Sequence, residues 1–380
     1  MSSASYLACA NCGKTYNIQQ RQTFATCCNQ PLFTYYNISN YSKEELIQQP
    51  KNLWRYAAML PLFYQDNIVS LEEGFTPMHI LHKTQLKYAV NKMYVKDEGT
   101  NPTGSFKARG LSVAISKAKE LGITHCIIPT AGNAGGAMSA YCTKAGLKAT
   151  VVMPKLSAQL IKDEVQLYGG ELIEVNGFIQ DCGKIVQKIA ADTGAFDMST
   201  MKEPYRLEGK KTLGYEIAEQ LNWQLPDVIV YPTGGGTGLI GMWKAFEELK
   251  NLKWLISNKK PKMVIVQIKN CNPMIQMIKN GKKDADFKPS YSIANGLVVP
   301  TPFAEKSILE VITESNGTGI DVSESDITQS IQEMARTEGL LLSPEGAAAF
   351  AGFKKLVEKK WIEEHESVCI INTGSWFKYH

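Results

Sequence analysis

Lys96-Asp97-Glu98-Gly99-Thr100-Asn101-Pro102-Thr103-Gly104-Ser105-Phe106-Lys107-Ala108-Arg109-Gly110 joins a short apolar strand pattern (Met93, Tyr94, Val95) to a helical pattern from Phe106 to Ala118. Asn-Pro-Thr-Gly marks a tight turn. Thr103 or Ser105 fits an N-cap, which places Lys107 in the first helical turn. The N-terminus is the positive end of the helix dipole, so an ammonium there is disfavoured and its pKa should fall. A neutral lysine is a nucleophile, and a carbonyl-bearing cofactor is what it would capture. The alternative is a lysine that snorkels from a surface helix, as most lysines do.

Working outward, the bulk composition sets bounds. A chain of 380 residues fits two or three compact units. Apolar content of 44%, charge of 21% and 30 glycines describe an ordinary globular, enzyme-like protein. The 41 basic residues exceed the 37 acidic ones without clustering, which excludes nucleic acid as the main partner. No apolar run approaches the roughly 18 residues that span a bilayer, and Met1–Ser5 lack a signal-peptide layout. Cys126, Cys142, Cys182, Cys271 and Cys369 are scattered singly in apolar company and read as reduced thiols of a cytoplasmic protein. Cys9-Ala10-Asn11-Cys12-Gly13 instead has the form of a zinc knuckle. The second knuckle of a ribbon is replaced by the adjacent pair Cys27-Cys28. A structural zinc site and a metal-free remnant both fit, and neither is catalytic, because four thiolates leave no open position.

Along the chain, residues 41–71 show a mixed helical pattern with Trp54, Tyr56, Leu60 and Phe63 on one face. A strand follows at Met78–Leu81. After the opening stretch, strands alternate with helices: strand Cys126–Pro129, helix Ala137–Ala145, strand Ala149–Pro154, helix Ala158–Tyr168, strand Glu171–Val175 and a helix near Asp181–Thr193. Residues 196–206 read as a polar connector before a helix at Gly209–Leu221. Strand Asp227–Tyr231, helix Leu239–Leu249 and strand Met263–Ile268 come next, then a less regular section to Leu297. Helices Ser325–Gly339 and Ala347–Glu358 precede a last strand, Ser367–Ile371. Such alternation implies parallel sheets with crossover helices.

Four turns of small residues end strands: that of Lys107, Thr130–Gly136, Thr233–Gly238 and Thr373–Ser375. In open parallel sheets, ligands sit beyond the carboxyl ends of the strands. Gly234-Gly235-Gly236-Thr237-Gly238 can aim amides at a monophosphate, with a helix start behind them. The competing reading is a tight turn that needs glycine for packing. Asn133, among glycines and alanines, can donate to a ring oxygen, or can simply favour turn geometry. Thr373 can offer a neutral hydroxyl to a pyridine nitrogen, which favours elimination and replacement over transamination, or can cap its turn. Together these groups describe pyridoxal 5′-phosphate.

At these residues the chain resembles the fold-type II pyridoxal-phosphate enzymes, and within them the threonine synthases, over roughly residues 70–380. Asn101–Lys107 is similar to the motif whose lysine carries the cofactor, and Thr130–Gly135 to the ring-contacting turn. Tyr205-Arg206-Leu207-Glu208-Gly209-Lys210-Lys211-Thr212 resembles a substrate-binding segment. The cysteine-bearing extension also occurs in some of these enzymes. The resemblance implies an α/β fold of two open parallel-sheet αβα domains with the active site between them, plus a small ribbon-like N-terminal extension. The corresponding boundaries are 1–40 for the extension, 41–96 with 195–380 for a large cofactor domain, and 97–194 for a small domain. Lys107 would be catalytic. Lys107, Asn133, Gly234, Gly235, Gly236, Thr237, Gly238 and Thr373 would hold the cofactor, with Thr103, Ser105, Arg206 and Lys210 on the substrate. Cys9, Cys12, Cys27 and Cys28 are the metal candidates.

The implied reaction converts O-phospho-L-homoserine and water to L-threonine and phosphate. The alternative is a threonine or serine ammonia-lyase. Ala108 stands where many threonine synthases have Asp, and Gly-Gly-Gly-Thr-Gly-Leu is similar to the dehydratases. The Asn-Ser pair that helps hold substrate phosphate is replaced near Thr200-Met201. The resemblance also implies a homodimer acting on a small amino acid, with no membrane partner.

Overall fold

The computed structural model describes residues 2–38 and 41–379; Met1, Ser39 and Asn40 of the expected extension, and His380, lie outside the described residues. The chain forms two compact units. The first comprises Met1–Phe75, Asn101–Thr103 and Lys107–Thr212, and the second Thr76–Thr100, Gly104–Phe106 and Leu213–His380.

In chain order, β1 (Ala4–Cys9), β2 (Thr15–Tyr16) and β3 (Leu32–Tyr36) make a small antiparallel sheet in the order β2-β1-β3. Helix α1 (Lys43–Ile47) opens on a capping box between Ser42 and Glu45. β4 (Met78–Ile80), α2 (His82–Lys87) and β5 (Lys92–Asp97) enter the second unit. The first unit resumes with α3 (Lys107–Glu120), β6 (His125–Pro129), α4 (Ala134–Ala145), β7 (Lys148–Pro154), α5 (Gln159–Leu167), β8 (Glu171–Val175), α6 (Ile179–Thr193) and β9 (Phe196–Asp197). α7 (Tyr205–Gln220) carries the chain across the unit boundary. The second unit is completed by β10 (Val228–Pro232), α8 (Thr237–Asn251), β11 (Lys262–Ile268), α9 (Pro273–Asn280), α10 (Glu305–Glu314), β12 (Thr318–Val322), α11 (Glu324–Glu338), α12 (Pro344–Glu358) and β13 (Ser367–Asn372).

The first unit's larger sheet is parallel, in the order β8-β7-β6-β9. The second unit's sheet runs β12-β11-β10-β13-β5-β4, parallel except for the antiparallel edge strand β4. Helices cover parallel strands on both faces, so the central strands are apolar throughout: Val228, Ile229, Val230 and Tyr231 are all buried. This is the expected α/β class, with each unit built around its own parallel sheet.

Several local expectations are corrected. Residues 41–71 do not form a long helix; after α1 there is a 3₁₀ stretch, Leu53–Met59, with Tyr56 outside helical dihedrals. Pro50 and Pro61 remove donors, and Trp54 Nε1 instead donates to Glu73 Oε1 and Ser112 Oγ, each at 3.1 Å. These bonds explain why 41–75 groups with α3 in the first unit and not with the second. The unit boundary after β9 likewise falls at Thr212, well beyond the expected residue 195. The section from Ile268 to Leu297 holds helix α9, and α10 and β12, which the sequence pattern does not predict, follow it. Among the described residues, no helix is long and apolar enough to cross a membrane.

Candidate active site

Lys107 is the first residue of α3 and is half-buried, as its sequence position implies. Its turn is tighter than a simple cap. Pro102–Gly104 forms a 3₁₀ turn in which Thr103, a β-branched residue, has a left-handed φ of 62°. That conformation stores strain, which is characteristic of sites where geometry is held for function. Ser105 does not cap α3: its Oγ is buried and has no hydrogen-bond partner among the described residues. An orphaned buried hydroxyl is costly, so this one is open to a bound group.

The residues just before Lys107 are fastened to the end of β13. The Phe106 amide donates to the Thr373 carbonyl at 3.0 Å, and the Ser375 amide donates to the Gly104 carbonyl at 2.8 Å. Ser105 and Gly374 form the bridge between them. A Cβ on Gly99 would lie 2.9 Å from the Gly374 carbonyl oxygen, so only glycine permits this approach. Thr373 itself is buried, directly after the strand.

In the first unit, Asn133 immediately precedes α4, and its side chain does not cap that helix. The helix begins at Ala134, three residues earlier than its sequence suggests, because Thr130 Oγ1 accepts the Gly132 amide at 3.1 Å and tightens the turn.

In the second unit, α8 starts at Thr237 behind Gly236, which has a left-handed φ of 77° and offers no side-chain cap. The first amides of this 15-residue helix lack helical acceptors, which makes an anion site. Packing also fixes the glycines. A Cβ on Gly234 would meet the Gly296 carbonyl oxygen at 2.5 Å, and one on Gly238 would meet Tyr231 Oη at 2.0 Å. The packing reading of the loop is thus met by its glycines, and the helix start behind them carries no side-chain cap.

Arg206 lies on α7 with Lys210, not on a connector. They are buried one turn apart. Arg206 donates to the Met198 carbonyl at 2.5 Å, but among the described residues neither its Nε nor Glu203 Oε1, 3.9 Å away, has a hydrogen-bond partner. Glu203 was not legible as a site residue. Its Oε2 accepts the Tyr205 and Arg206 amides at 2.8 and 3.0 Å and so caps α7. The acid two residues before Tyr205, followed by Pro204, is the signal that could have revealed it. Burial pushes the Glu203 carboxyl up to about 7, although Arg206 and the two amides oppose the rise. Burial also pushes the Lys210 ammonium well below its ordinary value, helped by the charges of Lys107 and Arg206 and opposed by Glu203. Lys107, Arg206 and Lys210 are thus a group of basic side chains with one acid, held in the first unit. Gly110 and Gly209 allow this closeness: a Cβ on Gly209 would fall 2.1 Å from the Arg109 carbonyl oxygen, so α3 and α7 touch backbone to backbone.

Residues 69–374 match the family model described as pyridoxal-phosphate dependent enzyme. The threonine synthase of Methanocaldococcus jannaschii is 32% identical over 375 residues, covering 97% of this chain and 92% of that one. The threonine synthase of Methanosarcina acetivorans is 33% identical over 380 residues, covering 98% and 92%. The chain belongs to the threonine synthase family of pyridoxal-phosphate-dependent enzymes. Among solved structures, the processed threonine deaminase isoform 2 of Solanum lycopersicum superposes with a TM-score of 0.68 at 21% identity, covering 87% of this chain and 94% of that one. Maize serine racemase gives 0.67 at 20%, covering 79% and 88%. At these identities the likeness establishes the fold.

The residues present fit the cofactor of this family. An amine at a helix start, an orphaned hydroxyl at Ser105, a bare helix N-terminus at Thr237 and a buried neutral hydroxyl residue at Thr373 are the donors that an aldehyde, a phosphate and a pyridine nitrogen require.

Separately, Cys9, Cys12, Cys27 and Cys28 gather: their sulfurs all lie within 4.8 Å of one another. Cys9 is buried, which raises its thiol, but the Cys12 and Asn11 amides and the neighbouring thiols bring it down to about 7.

Proposed function

We propose that this enzyme converts O-phospho-L-homoserine and water to L-threonine and phosphate. The observation that carries the reading is the buried cationic group on α7. Arg206 Nε has no hydrogen-bond partner among the described residues, only the Glu203 carboxylate 3.9 Å away, and burial beside Lys107 and Arg206 disfavours the charge on Lys210. An incoming phosphate would satisfy the guanidinium and restore the ammonium. A β-hydroxy amino acid, the substrate of an ammonia-lyase, brings no such anion.

Pyridoxal phosphate, when bound, supplies an aldehyde for amine capture and a ring that withdraws electrons. Lys107 would hold its aldehyde carbon, Asn133 its ring oxygen, Thr373 its ring nitrogen, and residues 234–238 its phosphate. The Lys107 amine, free of the cofactor while substrate is bound, would take one proton from the substrate Cα and one from Cβ, and would return one to Cγ as phosphate departs and one to Cα at the end. Phosphate leaves from Cγ into the Arg206 and Lys210 group, and water adds at Cβ. Thr103 and Ser105 would bind the substrate carboxylate. Arg206 supplies positioning and charge at the leaving oxygen, where electrostatic stabilisation is largest.

Ala108 favours a second reading, since its buried methyl leaves no carboxylate where many relatives by resemblance have Asp. The two reactions separate in one experiment: phosphohomoserine and threonine are supplied in parallel while phosphate and 2-oxobutyrate are followed. Phosphate from the first, with negligible 2-oxobutyrate from the second, is expected. The reverse pattern would reassign the enzyme as an ammonia-lyase.

We further place the enzyme in the cytoplasm as a homodimer. Nine free cysteines persist in a reducing compartment, and sedimentation of the holoenzyme tests the assembly.

A further inference from the structure

We propose that Cys9, Cys12, Cys27 and Cys28 bind one zinc ion, and that this staple holds the β1–β3 sheet so that Tyr36 positions α7. Four thiolates around zinc at about 2.3 Å span tetrahedron edges of roughly 3.8 Å. The four sulfurs already lie within 4.8 Å of one another, and Cys12 Sγ is 3.5 Å from Cys27 Sγ. None is in a disulfide.

The backbone builds the site from two turns. Cys9 accepts the Gly13 amide at 3.0 Å and donates its own to the Lys14 carbonyl at 2.9 Å, which folds Cys12 back over Cys9. Gly13 takes the left-handed φ of 72° that this knuckle demands. On the other side, the Ala25 amide donates to the Gln30 carbonyl at 2.8 Å and presents Cys27 and Cys28 at the tip of a closed loop. This resolves the difficulty of an adjacent cysteine pair, since the tip brings both sulfurs to the knuckle. Asn11 supplies an outer layer: its amide faces Cys9 Sγ at 3.4 Å, and its Nδ2 faces Cys28 Sγ at 3.5 Å. N–H donors of this kind orient thiolates around a metal.

Such a staple adds to the apolar core that the sheet shares with α3. The sheet's strands have six, two and five residues, fewer than an autonomous apolar core requires. Its far end reaches the helix that carries Arg206 and Lys210. The Tyr36 hydroxyl donates to Glu208 Oε2 at 2.7 Å, and the Lys211 ammonium sits 3.9 Å from the Tyr36 ring centre while pairing with Glu208 at 2.7 Å. Both members of that pair are fully buried. Tyr36 is therefore a positioning residue, one helical turn from the cationic group.

The full-length holoenzyme is purified without added metal, its zinc is measured, and cobalt is then exchanged in. One zinc per chain is expected, with thiolate-to-cobalt charge-transfer and tetrahedral ligand-field bands. Both should vanish in Cys12→Ser/Cys27→Ser. Fully reduced wild-type protein that retains no stoichiometric metal after loading and desalting would overturn the site, as would full occupancy of the double variant. A double variant that fails to fold is replaced by chelation of the wild type, which should lower Tm in a zinc-reversible way; a Tm indifferent to chelation also refutes the staple. Tyr36→Phe should keep its zinc but raise KM for phosphohomoserine about tenfold with kcat less affected, as for loss of a hydrogen bond to a charged group. An unchanged KM refutes the link to α7. The KM arm rests on the proposed reaction; the metal and spectral arms do not, so the two readings fail separately.

Discussion

At the scale of single residues, Lys107 and Glu203 make opposite kinds of prediction. Lys107→Ala should lose turnover by at least about 10²–10⁴-fold. It should also lose the visible absorption of the bound cofactor, which spectrophotometry of the purified variant reads directly; retention of that band would remove Lys107 from its role. Glu203 makes a prediction about pH. Its folded carboxyl titrates near 7, above the ordinary value of 4.5. Between those limits the folded chain holds a proton that the unfolded chain has released, so stability falls as pH rises through the window. Glu203→Gln has no such proton. Its stability relative to wild type, from melts across pH, should climb from pH 4.5 to 7 and then level, with a span of about 3 kcal/mol. Parallel curves would mean that Glu203 stays ionised. The position of Lys107 at a helix start was legible because Asn-Pro-Thr-Gly breaks the chain just before a helical apolar pattern. Glu203 was not, because its value depends on burial that sequence does not display.

Among the elements, the contact of α3 with α7 decides where the cations stand. Gly209→Ala sets a Cβ 2.1 Å from the Arg109 carbonyl oxygen, so α7 must back away from α3. The expected cost is about 1–3 kcal/mol in denaturant melts. The same shift should weaken inorganic phosphate binding more than cofactor binding, which parallel calorimetric titrations would compare; equal losses would show unfolding instead. The strands of both parallel sheets were legible, since strands buried on both faces are continuous apolar runs. The start of α7 was not, because Glu203 caps it from outside the apolar periodicity and Gly209 falls inside it. Residues 41–71 misled for the reverse reason: their apolar spacing is helical, but Pro50, Pro61 and the Trp54 bonds to Glu73 and Ser112 fix another path.

For the whole molecule, the alternating α/β order could be read from sequence, but the grouping of segments could not. Leu7, Ile18, Ala25 and Leu32 of the N-terminal sheet share one core with Ala108, Leu111 and Ile115 of α3. A chain beginning at residue 41 should therefore expose that face of α3. It should show a Tm lower by several degrees, or insolubility, in a calorimetric melt against the full chain. An unchanged melt would mean that the extension is dispensable. Nothing in the extension's polar, cysteine-spaced sequence announces this shared core; only the fold brings Leu7 and Leu111 into it.

The short bridge between residues 104–106 and 373–375 acts like a shared mount in an optical instrument. Two components bolted to one plate drift together, and their separation stays constant when the plate moves. Phe106 and Thr373 are held by one amide-to-carbonyl bond, so thermal displacement of β13 carries the backbone entering Lys107 with it. The spacing between the turn that delivers the amine and the turn that bears Thr373 is thereby insulated from breathing of the sheet, without either turn having to be rigid.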